Sequence, residues 1–147
     1  VEDENAMTPG TVYLEDLEIG DSRSLTKLIT PELVGKFADV SEDHNPIHLD
    51  DAAGKASIFG QCIAHGMLSA VLFSGLLGEH LPGHGTIYTG QTLKFLAPVK
   101  IGAEVTAKVT VKEVNREKKR AVLTCEAFVG EQKVIAGEAT VIPPSRG

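Results

Sequence analysis

The stretch "AHGMLSAVLFSGLLGEHL", residues 64–81, decides how this chain folds. From Gly66 to Leu77 every side chain is apolar or small, and no acidic residue appears before Glu79. A surface helix carries a polar stripe; this run has none, so it reads as a helix buried on all sides. It is too short to cross a bilayer, which takes about 20 residues. Gly78 and the Pro82-Gly83 step end it.

The chain beyond this helix is strand-like. "GTIYTGQTLKFLAPV", "EVTAKVTVKEV", "AVLTCEAFV" and "KVIAGEATVI" are separated by turn residues such as "NREKK" and Gly130-Glu131-Gln132. In the second of them Val105, Ala107, Val109 and Val111 face one way, and Glu104, Thr106, Lys108, Thr110 and Lys112 the other. Short turns between neighbours make the pairing antiparallel. Upstream, "SRSLTKLI" is a further strand. Thr30 caps and Pro31 opens a helix, "PELVGKFADVS", with Leu33, Val34, Phe37 and Ala38 on one face. That helix must stop before Asn45-Pro46, and residues 51–57 form one short helical turn. The expectation is an α+β domain over residues 11–147, an antiparallel sheet wrapped around a long central helix, after a disordered segment 1–10. An open sheet edge needs cover, so a homodimer is expected.

Composition narrows the function. At 42% hydrophobic and 23% charged, the 147 residues make an ordinary globular domain. A net charge of −6 without a basic cluster argues against nucleic acid and against an anionic membrane surface. Cys62 and Cys125 belong to no metal-binding spacing, and two inert thiols in a reducing cytoplasm is the reading they support. Residues 1–10 are polar and acidic, unlike a signal peptide.

The chemistry concentrates in "SEDHNPIHLDDA", residues 41–52. Asn45 favours a turn and Pro46 stiffens it, so Asp43 and His48 can be aimed at one point. A carboxylate and an imidazole sharing one water form an acid–base pair that works near neutral pH. On composition and spacing alone the stretch reads first as a plain polar turn beside a surface histidine. A metal site is disfavoured: Pro46 interrupts the i,i+4 pair His44 and His48, and the Glu of a zinc-protease helix is missing. His80 and His84 are read as solvated loop histidines.

A second candidate is Gly66, in the first turn of the apolar helix. Backbone N–H groups there are free, and a carbonyl developing negative charge would gain from them; the plainer alternative is a helix start with a small residue for packing. Ser69 and Ser74 lack the Gly-x-Ser-x-Gly setting of a nucleophilic serine.

Taken together, "SEDHNPIHLDDA" and "IAHGMLSAVLFSGLLGEHLPGHGTIYTGQTLKFLAPVKIGAEVTAKVTV" resemble the (R)-specific enoyl-CoA hydratases of the MaoC-like, hydratase 2 group, from about Leu17 to Ile142. One departure is Glu42, where that group often has glycine before the Asp. The resemblance implies a hot-dog fold, a homodimer, and hydration of trans-2-enoyl-CoA to (R)-3-hydroxyacyl-CoA without metal or redox cofactor. It implies that Asp43 and His48 activate the water and that Gly66 donates its N–H to the thioester carbonyl. It further implies that Asn45 orients the turn and that Ser74 lies near the pair. Leu77 is expected to limit the acyl pocket to short chains. We take Asp43 as the base and His48 as polarising the same water. The competing readings are a hot-dog thioesterase, whose carboxylate would sit on the central helix, and a non-catalytic acyl-thioester binding module.

Overall fold

A computed structural model describes residues 7–147. Five strands form one antiparallel sheet: β1 (Ser22–Leu28), β2 (Ile87–Phe95), β3 (Glu104–Asn115), β4 (Arg120–Val129) and β5 (Gln132–Ile142). Their order across the sheet is β1-β3-β4-β5-β2. The last three are consecutive hairpins, and their pairing aligns Val109 with Cys125 and Cys125 with Gly137. The expected alternation holds: Val105, Ala107, Val109 and Val111 are buried, and so are Ala121, Leu123, Cys125 and Ala127 on the neighbouring strand. Cys62 and Cys125 are both buried and free.

Four helices are spliced between β1 and β2. They are α1 (Pro31–Ser41), α2 (Pro46–Leu49), α3 (Asp51–Ala56) and α4 (Gly66–Glu79). The long α4 packs against β1, β2, β3 and β4. Its Leu68, Phe73, Leu76 and Leu77 join the strand valines and leucines in one core. This sheet with its helix is the hot-dog arrangement.

The expectation that α4 is buried on every side does not hold within one protomer. Gly66, Met67, Val71, Ser74, Gly75 and Gly78 are exposed. From Met67 onward these positions recur at helical spacing, so they make one continuous face. A single sheet can cover only one side of a helix, and the apolar outer side is left over. Ile87, Tyr88, Phe95 and Leu96, at and just beyond the ends of the edge strand β2, are exposed as well.

The amino-terminal expectation also changes. Residues 1–6 lie outside the described residues, but 7–10 are tied down. Met7 packs against the core. The Gly10 N–H donates to the Glu79 carbonyl at 2.9 Å, and the His84 N–H donates to the Gly10 carbonyl at 2.8 Å. Backbone pairing to the end of α4 holds a segment whose polar composition alone would leave it loose.

Candidate active site

Local chemistry places Asp43. Helix α1 starts as expected, with Pro31 in its first turn and the Thr30 side chain accepting the Leu33 N–H at 3.0 Å. It ends at Ser41, and Glu42 turns the chain with φ 65° and ψ 16°. That left-handed conformation costs a non-glycine residue about 1 kcal/mol, which is the physical reason glycine suits this position. The Asp43 N–H then donates to Ser41 Oγ at 3.1 Å, and Asp43 Oδ1 accepts the Asn45 N–H at 3.2 Å. Asn45 Oδ1 in turn caps α2 through the Ile47 N–H at 3.1 Å, with Pro46 as its first residue. Asn45 therefore orients the turn; Glu42 ends α1 and Pro46 starts α2. Asp43 Oδ2 takes no part in these bonds.

His48 lies on α2 and faces that oxygen. Its Nδ1 is 2.7 Å from the Ile63 carbonyl oxygen. A carbonyl can only accept, so Nδ1 carries the proton and Nε2 offers a lone pair. Nε2 stands 4.0 Å from Asp43 Oδ2; the His48 side chain is 10% exposed and the Asp43 side chain 51%. That separation is too long for a hydrogen bond. A water about 2.8 Å from both atoms would subtend an angle of about 90°, close to its own geometry. Both atoms are acceptors, so the water would give them its two protons and turn its oxygen lone pairs outward.

His65 joins this pair, which the sequence reading did not foresee. It is 3% exposed. Its Nε2 is 2.9 Å from the Asp43 carbonyl oxygen, and its ring stacks on that of His48 at 3.8 Å between centroids, 25° between planes. The neighbouring His44 turns away instead: its Nε2 is 3.0 Å from Asp39 Oδ1, and this bond raises the pKa of its exposed imidazole.

Gly66 follows His65 and begins α4. Three helices have side-chain caps, from Thr30, Asn45 and Asp50, whereas α4 has none. No acceptor among the described residues takes the Gly66 N–H. The residue lines an apolar cavity of about 300 Å³ with Phe59, Ile63, Ser69, Phe95 and Val99. A Cβ on Gly66 would come within 2.7 Å of the Phe95 ring, so only glycine fits without moving that ring.

The remaining expected site residues lie elsewhere. Ser74 opens on a separate cavity with Met67, Val71, Tyr88 and Leu93, on the outer face of α4. Eight residues of helix put it about 12 Å along the axis from Gly66. Leu77 is 1% exposed and belongs to the core beneath the sheet. His84 pairs with Glu79 in solvent at 3.0 Å, while His80 is half-buried with an unpartnered Nδ1.

Asp43, His48 and His65 offer three ligand-type atoms within 4.8 Å of one another. His65 is the third group that sequence spacing lacked. One nitrogen of each ring is hydrogen-bonded to a backbone carbonyl, and the two rings stack with 25° between their planes.

Comparison with known proteins gives the family. Residues 16–131 match the family model described as "MaoC like domain". The chain is 47% identical over 135 residues to an (R)-specific enoyl-CoA hydratase of Rhodospirillum rubrum, covering 92% of this chain and 94% of that one. It is 45% identical to a 3-hydroxybutyryl-CoA dehydratase of Methylorubrum extorquens, covering 92% and 86%. Among solved structures, an (R)-hydratase from A. caviae involved in PHA biosynthesis superposes with a TM-score of 0.87 at 46% identity, covering 88% of this chain and 99% of that one.

Proposed function

The chain belongs to the MaoC-like domain family, and on that basis we propose that it is a hydro-lyase adding water to trans-2-enoyl-CoA to give (R)-3-hydroxyacyl-CoA, reversibly. One observation carries the chemistry. Two acceptors, Asp43 Oδ2 and His48 Nε2, face each other at 4.0 Å, and His65, whose ring stacks on His48, is followed directly by Gly66 with its uncapped N–H. The thioester carbonyl sits on that N–H, where the helix dipole favours the enolate that forms. Water held by the pair attacks C3. Asp43 takes its proton, His48 polarises the same water, and the proton returns to C2, so one water is added across the double bond. The carbonyl and the pair supply all the polarisation this addition needs, and coenzyme A enters as part of the substrate.

The acyl chain is short, about four carbons; the relative named as a 3-hydroxybutyryl-CoA dehydratase supports this. Supply of hydroxyacyl units for PHA is the role that the A. caviae hydratase supports. The outer face of α4 and edge strand β2 together support a homodimer, since Met67, Val71, Ile87 and Phe95 would otherwise stay in water. Two free buried thiols suit a reducing cytoplasm. No helix among the described residues is long and apolar enough to cross a membrane.

The test is crotonyl-CoA with the wild-type protein. The ultraviolet band of the conjugated thioester should disappear, and chiral analysis should return the R product. Release of free coenzyme A thiol without hydration would identify a thioesterase instead, and binding without turnover a carrier module.

A further inference from the structure

We propose that His65 is a positioning residue for the hydration, holding Asp43 and His48 in register with the Gly66 N–H while touching no substrate atom. The inference rests on the hydratase reading above. A local rule is broken at this position. Residue 65 is the N-cap of α4, a place where Ser, Thr, Asp or Asn would satisfy a free N–H, as Thr30 does for α1 and Asp50 for α3. Histidine makes no cap bond there. Its ring turns instead toward the turn that carries Asp43.

Three contacts define what the ring does. The Asp43 carbonyl can only accept, so His65 Nε2 carries the proton and donates to it at 2.9 Å. One ring face stacks on His48 at 3.8 Å. Phe37 of α1 meets the ring edge-to-face, with centroids 5.0 Å apart and planes at 61°. The imidazole is thus wedged between α1, α2 and the loop that carries Asp43. A slip of His65 would move the Asp43 backbone, the His48 plane and the start of α4 together. A water-sharing pair tolerates little of this, because a shift near 1 Å can cost about 10²-fold in rate. At 3% exposure the residue is shut off from solvent, and its Nε2–H is committed to the Asp43 carbonyl rather than free for substrate.

The side-chain choices make the test sharp. Glutamine at position 65 can place its amide Nε2 where the imidazole Nε2 stands; asparagine is one carbon shorter and cannot reach; leucine fills space but donates nothing. With crotonyl-CoA, His65→Leu and His65→Asn should lose kcat at least tenfold with KM within about threefold, and His65→Gln should recover most of it. Equal kcat in all four proteins would overturn the proposal, as would His65→Gln no better than His65→Asn at equal thermal midpoints. Should His65→Leu fail to fold, the Gln and Asn variants decide between themselves. Wild-type protein gives an independent reading through imidazole nitrogen NMR. His65 should be the Nε2–H tautomer and His48 the Nδ1–H tautomer; a His65 Nδ1–H tautomer removes the tie to Asp43. This measurement needs no turnover, so wild type that fails to hydrate crotonyl-CoA would sink the function reading and leave the His65 tie to be judged on the NMR.

Discussion

Asp43 Oδ2 and His48 Nε2 stand 4.0 Å apart, each free because its partner atom on the same side chain is already bonded. Asp43 Oδ1 is spent on the Asn45 N–H and His48 Nδ1 on the Ile63 carbonyl. The pair is therefore preset for one water before any substrate arrives.

That division lets charge be removed without removing structure. Asp43→Asn keeps an oxygen for the Asn45 N–H, and His48→Asn keeps a nitrogen for the Ile63 carbonyl. Each variant should fold with a midpoint close to wild type and lose at least ~10²-fold in kcat, the usual scale for an acid–base group. Because both act on one water, the double variant should be little worse than either single one. Steady-state hydration of crotonyl-CoA and circular dichroism melts check this; full activity in both single variants would sink the assignment.

Gly66→Ala tests the carbonyl site. The new methyl meets the Phe95 ring at 2.7 Å unless one of them moves. The N–H remains but shifts, so kcat/KM should fall by roughly 10 to 10²-fold, less than the full loss of an oxyanion donor. Stability should hold, since alanine is the better helix former. A kcat/KM within twofold of wild type would show that the thioester lies elsewhere.

Glu42 adopts φ 65° without being glycine. Glu42→Gly relieves about 1 kcal/mol of backbone strain and gives back part of it as unfolded-chain entropy. The net gain should be about 0.5 kcal/mol, or roughly 1–2 °C in melting midpoint for a chain of this size, with activity unchanged. A lower midpoint would mean that the Glu42 side chain contributes something the backbone does not show.

Val71 lies on the outer face of α4, 44% exposed in the protomer. A charge there is harmless in a monomer and costly at the centre of an apolar interface. Val71→Glu should elute as a monomer in size-exclusion chromatography with light scattering, and wild type as a dimer. A Val71→Glu dimer of unchanged affinity would exclude this face as the interface.

The carboxyl-terminal segment docks through Glu15. The Ser145 hydroxyl and the Arg146 N–H donate to its carboxylate, which lowers its pKa from an ordinary 4.5 to about 2. A lowered folded-state pKa means that the unfolded chain binds more protons between those two values. The contribution is therefore whole above pH 4.5 and is lost as pH falls toward 2. Urea midpoints of wild type and Glu15→Gln should differ most near pH 6, and the gap should narrow steadily from about pH 4.5 to about pH 3. A gap that does not depend on pH would assign the effect to packing.

The strands, α1 with its Thr30 cap, the Asn45-Pro46 turn and the apolar helix were all legible in the sequence. Each rests on interactions within a few residues or on a short hydrophobic period, and such patterns are written along the chain. The resemblance joined Asp43, His48 and Gly66 into one expected site, where composition and spacing alone favour a plain turn and a plain helix start. Three things were decided only by tertiary structure. One face of α4 stays open, because a single sheet cannot surround a helix, and nothing in an all-apolar run says which side the sheet takes. Gly10 is held by backbone bonds to Glu79 and His84, partners about seventy residues away, and Met7 by packing on the core. His65 reaches Asp43 and His48 across the gap between two loops, although its misfit as an N-cap was visible beforehand. Local spacing determines which groups exist and how each turn is built. Where the loops meet depends on the burial of one shared core, and that is a property of the folded chain as a whole.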